Sequence, residues 1–171
     1  MATSTYTATT PRTFTHTATH LAGIITSALA ETLIIIGISV DKAQRVCSYE
    51  ATLSAWIQER SLGVIRITTT PPGGIESPAY SFVIDYTTFD PDEELRDQLA
   101  RLRRQLTKEP RVPVGSDFTV TAVPRAGHNL SDRSGWSSRA TPLPAFNDGY
   151  RHGTAGRGPG ASAVFRSHRL G

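Results

Sequence analysis

Cysteine is almost absent from this chain, whose 171 residues include Cys47 alone. A single thiol excludes an internal disulfide and any metal site built from several thiolates. Residues 1–15 also lack the basic and apolar regions of a secretory signal, so none is predicted there. We therefore expect a cytoplasmic protein, with Cys47 as a small core residue of a helix.

The sequence also lacks the short motifs that mark common catalytic sites. It contains no Gly-x-Ser-x-Gly elbow and no phosphate-binding or dinucleotide-binding glycine motif. His16 and His20 are spaced for one face of a helix, but no third metal ligand lies nearby in sequence. The acidic run over residues 90–97 is typical of a capped helix start. We expect no enzyme activity, cofactor or metal, although a Ser/His/Asp triad dispersed along the chain stays open.

Positive charge is distributed unevenly along the chain. Residues 1–123 carry 11 basic and 13 acidic side chains, whereas residues 124–171 carry seven arginines and two aspartates. The isoelectric point near 9.3 is therefore a property of the tail. Nucleic-acid binding through these arginines is the alternative function. They form no dense block, however, so direct nucleic-acid binding is not the expected one.

Hydrophobic periodicity predicts three amphipathic helices. The segment 21–38 is apolar enough to suggest a membrane span, but Glu31 within it favours a buried core helix, and we expect no membrane association. The second helix opens on a sequence that resembles a capping box, and the third on an Asp-Pro start. The first predicted helix begins at residues 15–17 and ends at Gly37. The second extends from Asp41 to Gly63, and the third from Asp90 to Pro110.

Alternation of β-branched and aromatic residues predicts three strands, at residues 64–70, 79–87 and 117–123. Helices and strands in this order indicate an α+β domain, with three helices packed on a small antiparallel sheet. The predicted core covers residues 15–123, after an arm at 1–14 that is flexible or forms a strand. Residues 124–171 show no regular period and contain eight glycines and four prolines. This tail is predicted to be either disordered or a functional strap.

Three stretches resemble bacterial HORMA-domain proteins. TFTHTATHLAGIITSALAETL, at residues 13–33, is similar to the opening of these proteins, where a Thr/His-rich start leads into the first helix. YEATLSAWIQERSLGVIRI, at residues 49–67, is similar to their second helix and its exit into the first core strand. NDGYRHGTAGRGPGASAVFRSHRLG, at residues 147–171, resembles their C-terminus.

The resemblance implies a HORMA-like fold in which residues 124–171 form a C-terminal safety belt. In this family a short closure peptide from a partner lies along the last core strand, and the belt wraps over it in the closed state. An extended, β-branched strand followed by proline suits such β-augmentation. The tail glycines are expected to keep the belt mobile enough to repack. The implied peptide-binding residues are Phe118, Thr119, Val120, Thr121, Ala122, Val123 and Trp136.

The resemblance also implies partners. It points to the HORMA regulators of CBASS antiviral defence, which bind and activate a CD-NTase cyclic-oligonucleotide synthase when closed on a peptide. A AAA+ remodelling ATPase reopens such proteins by engaging the N-terminal segment. The implied remodeller-engaged residues are Thr3, Ser4, Thr5 and Tyr6.

Overall fold

A computed structural model describes residues 13–73, 79–133, 135–136 and 150–168 of the chain. The helices are α1 (Phe14–Ile36), α2 (Val40–Ala43), α3 (Glu50–Gln58) and α4 (Leu99–Leu106), with a 3₁₀ segment (Gln44–Tyr49) between α2 and α3. The strands are β1 (Leu62–Thr70), β2 (Ala79–Tyr86), β3 (Arg96–Asp97), β4 (Asp117–Pro124), β5 (Tyr150–Gly158) and β6 (Ala161–His168).

Helix α1 lies at the centre of the core, as its apolar period predicts. Leu21, Ile25 and Leu29 are wholly buried along one face. Gly37 ends the helix with a left-handed φ of 110°, and its N–H donates to the Ile34 carbonyl at 3.1 Å. This is the predicted glycine stop. By length and composition α1 could cross a membrane, but 61% of its apolar window is buried inside the protein.

The second predicted helix is shorter and less regular than its period indicates. Asp41 is not an N-cap, because α2 begins after Ser39 without a side-chain cap. Only α3 continues as a regular helix, and it ends before Gly63 because Arg60 takes a left-handed φ of 57°. The apolar period of this segment therefore predicted its buried face correctly and its helix boundaries incorrectly.

The third predicted helix begins at Leu99 rather than at Asp90. The Asp90 carboxylate accepts the Asp92 N–H at 3.0 Å, and its carbonyl accepts the Glu93 N–H at 3.1 Å. These bonds make a local turn, which competes with helix capping. Strand β3 then pairs with β5, and the Asp97 carboxylate accepts the Leu99 N–H at 2.7 Å where α4 begins. Tertiary pairing thus overrides the local helix signal.

The six strands form one sheet in the order β3-β5-β6-β2-β1-β4, and every pair is antiparallel. Helix α1 packs against α3, α4, β5 and β6 on one face of this sheet. On that face Ile65 of β1 lies opposite Phe82 of β2 and Ala122 of β4. This arrangement confirms the predicted α+β class with helices packed on an antiparallel sheet.

The tail departs most from the sequence prediction. Residues 150–168 form the β5–β6 hairpin, and β6 pairs with the whole of β2, from Ala79 opposite His168 to Tyr86 opposite Ala161. Phe165 of β6 has no exposed surface. The hairpin is therefore part of the core sheet, neither a disordered segment nor a peripheral one.

Two hairpin glycines have a packing role that the sequence analysis did not assign. A Cβ at Gly156 would overlap the Ile24 side chain, and one at Gly158 would lie 2.6 Å from Leu95 Cδ2. The Thr17 hydroxyl donates to the Pro159 carbonyl at 2.8 Å beside them. These glycines let α1 approach β5 closely, so the prediction that they serve belt mobility is wrong for this pair.

Candidate functional site: an open sheet edge and its strap

Strand β4 is the edge strand that carries most of the predicted binding residues. It pairs with β1 on its inner side, and no strand in the described part of the chain pairs with its outer side. Natural edge strands are usually short or carry lysine or proline, which prevents pairing with another chain. β4 has eight residues, no lysine, and a proline only at its end. Its outer edge is therefore open to another strand.

Two hydrogen bonds reveal which main-chain groups of β4 point outward. The Arg125 N–H donates inward to the Ser61 carbonyl at 2.7 Å, at the end of β1. The Phe118 N–H donates to the Asp117 carboxylate at 2.8 Å, not to β1. Because main-chain directions alternate along an edge strand, both bonds give the same assignment. The outward-facing main-chain groups are those of Phe118, Val120 and Ala122.

Pro124 fits this assignment, since proline in a sheet is tolerated where its missing N–H would face solvent. The side chains of Phe118, Val120 and Ala122 lie on the helix side of the sheet, partly buried against the core. Thr119, on the other side, is exposed. A peptide strand added to this edge would therefore meet an apolar side and a polar side.

Basic residues of α2 and the 3₁₀ segment hold the start of β4 in place. Arg45 pairs with Asp117 at 3.1 Å, and its guanidinium lies 5.2 Å from the Phe118 ring centroid. Lys42 Nζ donates to the Ser116 carbonyl at 3.4 Å. The Phe118 N–H, followed by the charges of Lys42 and Arg45, lowers the pKa of Asp117. The Asp117 carboxylate thus stays ionised while it fixes the strand start.

Residues 125–133 and 135–136, which we call the strap, follow β4 and contact α3. Trp56 Nε1 donates to the Ser131 carbonyl at 3.0 Å. The Ser131 hydroxyl donates to Glu59 at 2.9 Å, and Arg133 pairs with the same carboxylate at 2.6 Å. The strap therefore follows α3 backwards, from its C-terminal end toward the 3₁₀ segment.

Trp136 ends this part of the strap in an aromatic cluster. Its ring centroid lies 4.9 Å from that of Tyr49 and 5.0 Å from that of Trp56. Tyr49 belongs to the 3₁₀ segment whose Arg45 contacts Phe118. The structure thus places two predicted binding residues, Trp136 and Phe118, against the same short segment.

The β5–β6 hairpin lies toward the opposite edge of the sheet from β4. It joins the sheet through β2, so that β1 and β2 separate it from β4. This topology leaves the outer edge of β4 uncovered by the hairpin.

A buried polar cluster holds the hairpin in this position. His152 Nε2 lies 2.9 Å from the Ser167 hydroxyl and 3.4 Å from Glu109, to which the Tyr80 hydroxyl donates at 3.4 Å. The His152 ring centroid is 5.1 Å from that of Phe165. Burial lowers the pKa of His152, and the charge of Glu109 opposes this effect only in part.

The other sequence candidates do not assemble into a site. His16 Nδ1 accepts the Thr13 N–H at 3.2 Å, and His20 Nε2 bonds the Arg96 carbonyl at 2.9 Å. Within the described ranges no three metal-ligating side chains come together. Cys47 is exposed, so its prediction as a core residue is wrong. Outside the described residues lie the predicted remodeller contacts, Thr3, Ser4, Thr5 and Tyr6.

The sequence analysis missed the residues that secure the strap. Tyr49 and Trp56 lie within the second predicted helix, and nothing in the local sequence indicates that they contact Trp136. Glu59 carried no signal, because its partners Ser131 and Arg133 lie far along the chain. Two aromatic residues seven positions apart beside a distant tryptophan are too common a pattern to predict this contact.

Comparison with known proteins gives matches in structure only. No protein-family model and no curated protein matches the sequence. A chain of the mitotic checkpoint complex superposes with a TM-score of 0.65 at 10% identity, covering 90% of this chain and 98% of that one. C. elegans HTP-1 bound to the HIM-3 closure motif matches with a TM-score of 0.65 at 12% identity, covering 88% of each chain.

The E. coli MS115-1 HORMA:CdnC:Trip13 complex matches with a TM-score of 0.58 at 16% identity, covering 100% of this chain and 98% of that one. The CdnC:HORMA-deltaN complex of the same strain matches with a TM-score of 0.60 at 15% identity, covering 97% and 94%. At such identities the likeness demonstrates a shared fold. This chain has the fold of the HORMA-domain proteins, as the resemblance of its sequence implies.

Proposed function

We propose that this protein is a peptide-binding conformational switch of CBASS-type antiviral signalling. In the closed state it holds a closure peptide of a partner protein between β4 and the strap. The closed form binds and activates a CD-NTase, and a AAA+ ATPase reopens it. The observation that carries this proposal is the open outer edge of β4, with the hairpin paired to β2 near the other edge of the sheet.

The peptide-binding part of the proposal rests on main-chain chemistry. The outward N–H and C=O groups of Phe118, Val120 and Ala122 would bond an added strand, which provides affinity by β-augmentation. The strap supplies Leu130 and Trp136, both partly buried against the core, for side-chain contacts. The structurally similar HTP-1 is bound to the HIM-3 closure motif, which supports a peptide ligand.

The partner part of the proposal rests on the E. coli neighbours. Their complexes contain a HORMA protein together with CdnC, and in one case also Trip13. These neighbours support a CD-NTase and a AAA+ ATPase as partner types for this chain. We extend the proposal to a cytoplasmic, non-enzymatic regulatory subunit whose N-terminal arm at residues 1–14 is engaged by the ATPase.

The nucleic-acid alternative gains no support from the tail arginines. Arg133 pairs with Glu59, Arg157 pairs with Glu93 at 2.7 Å, and Arg125 lies 4.8 Å from the Tyr86 ring centroid. These side chains are occupied by contacts within the protein. Three of the seven tail arginines therefore contribute to the fold.

Two adjacent proline substitutions test the open edge. Ala122→Pro removes an outward N–H, so the protein should fold and lose affinity for its peptide. Thr121→Pro is the matched control, because it removes an inward N–H that faces β1 and should destabilise the protein. Calorimetric titration uses the tightest 12-residue peptide from a phage-displayed random library. An Ala122→Pro protein that is folded and binds normally would contradict the proposal.

The signalling role needs a separate measurement. Nucleotide synthesis by a CD-NTase encoded beside this chain should rise when peptide-loaded protein is added. Peptide with the Ala122→Pro variant should leave the rate unchanged. If the rate of nucleotide synthesis does not change when peptide-loaded protein is added, the activation step is contradicted and the peptide-binding proposal stands. Truncation after β4 is unsuitable as a control, because it removes Phe165 from the core.

A further inference from the structure

The two tryptophans of the chain form a matched pair with opposite hydrogen-bonding states. Trp56 is 2% exposed, and its Nε1 donates to the Ser131 carbonyl at 3.0 Å. Trp136 packs against it, with ring centroids 5.0 Å apart. The Nε1 of Trp136 is also buried, yet it has no hydrogen-bond acceptor in the described part of the chain.

An unsatisfied buried indole N–H is unfavourable and uncommon in folded proteins. The position of the ring explains how it persists, since Tyr49 and Trp56 hold it from two sides. Tryptophan is not needed for that packing alone, because a purely apolar ring would fit without stranding a donor. A ligand bound beside the ring would supply the missing acceptor.

A peptide strand on β4 would carry that acceptor. When a strand pairs with β4, half of its main-chain carbonyls face β4 and the other half face away. The second half faces away from β4, and no strand in the described residues is placed to bond it. These carbonyls need donors, and the Trp136 N–H is a buried donor beside the 3₁₀ segment that also contacts Phe118.

We propose, on the basis of the function proposed above, that Trp136 Nε1 donates to a main-chain carbonyl of the bound peptide that faces away from β4. Trp136 then bonds the main chain of the peptide on the side opposite the β4 edge. Without peptide, the closed strap contains an unsatisfied donor, and the peptide satisfies it. Peptide binding therefore favours the closed strap itself and not merely occupancy of the edge.

The test replaces each tryptophan in the full chain by benzothienylalanine, in which sulfur stands in place of the N–H. At position 136 the affinity for the library peptide should fall about fivefold, as expected for one lost hydrogen bond. The unfolding midpoint of the peptide-free protein should stay the same or rise. At position 56 the peptide-free protein should lose stability, because the bond to Ser131 is broken. Trp136→Phe and Trp56→Phe provide a genetically encoded version of the same pair.

An amide-to-ester scan of the library peptide identifies the accepting carbonyl. The ester at the accepting carbonyl should weaken binding to the unmodified protein. The same ester should not further weaken binding to the protein modified at position 136. Equal affinities of the modified and unmodified proteins would overturn this inference and leave peptide binding standing. If no library peptide binds the unmodified protein, the proposed function and this inference are both overturned.

Discussion

The two halves of the tail are attached to the protein in contrasting ways. The strap lies on the surface of α3, and its ion pair between Arg133 and Glu59 leaves both side chains more than a third exposed. The hairpin adds two strands to the sheet, with eight residue pairs between β6 and β2 and Phe165 fully buried. The strap is therefore attached through side chains at the surface of α3 and through Trp136, whereas the hairpin cannot detach without opening the core.

This contrast assigns different steps of the proposed cycle to the two halves. Closing the strap over a peptide beside β4 involves only the polar contacts of Ser131 and Arg133 and the aromatic contacts of Trp136. Moving the hairpin away from β2 would break a whole strand pairing, which suits a step driven by an ATPase. Variants in each half, in order of expected effect, test whether the halves differ in this way.

Phe165→Ala should have the largest effect. Removing a fully buried aromatic ring from the centre of the sheet should cost about 3–5 kcal/mol of unfolding free energy. Urea denaturation measures this loss, with the exposed Thr119→Ala as the matched control in the same sheet. A loss as small as that of the control would show that the hairpin is not part of the core.

Gly158→Ala should have a smaller but clear effect. The added Cβ would lie 2.6 Å from Leu95 Cδ2 and 3.2 Å from the Thr17 side chain, so the Leu95 side chain must move and the contact of Thr17 with β5 must loosen. Overpacking of this kind costs about 1–3 kcal/mol. Gly23→Ala, within α1, is the control and should be neutral or stabilising, because its nearest neighbour is a flexible Glu50 side chain at 3.3 Å. Equal losses would argue against close packing of α1 on β5.

The attachment of the hairpin should weaken in acid through His152. Its pKa is lowered by burial, so the unfolded chain binds a proton more readily than the folded protein does. Stability from this group is therefore complete above the ordinary histidine pKa of about 6.5 and is lost as the pH falls below it. Between pH 7.5 and 5.5, urea denaturation should show a larger loss for the natural protein than for His152→Gln. Parallel losses would exclude His152 as the cause.

Glu59→Gln should have the smallest effect on stability. The pair with Arg133 is exposed, and such pairs contribute about 0.2–1 kcal/mol. We expect little change in the unfolding midpoint but faster amide exchange in residues 128–133. A destabilisation comparable to that of Phe165→Ala would abolish the distinction between the two halves.

The sequence was informative wherever one element determined its own structure. The apolar stripe of α1 and the glycine after it predicted both the buried face and the helix end. The β-branched alternation of β1, β2 and β4 predicted their positions within two residues of the observed bounds. Asp90 was misleading because its local turn and the pairing of β3 with β5 together prevent an early helix.

The hairpin escaped prediction because its signal depends on its neighbours. Gly156 and Gly158 weaken the period of β5, and their reason for being glycine is the nearby surface of α1. The strap contacts escaped for the same reason, since Trp56 and Ser131 meet only in the folded protein. The family resemblance supplied the proposed binding strand and Trp136, but the direction of each main-chain group needed the structure.

Amide exchange along β4, followed by NMR in the free protein and with saturating library peptide, tests the open edge most directly. In the free protein the N–H groups of Val120 and Ala122 should exchange fast, and those of Thr119 and Thr121 slowly. Peptide should protect Val120 and Ala122 specifically. Protection of all four groups before peptide is added, or no change on adding it, would contradict the open edge as the binding site.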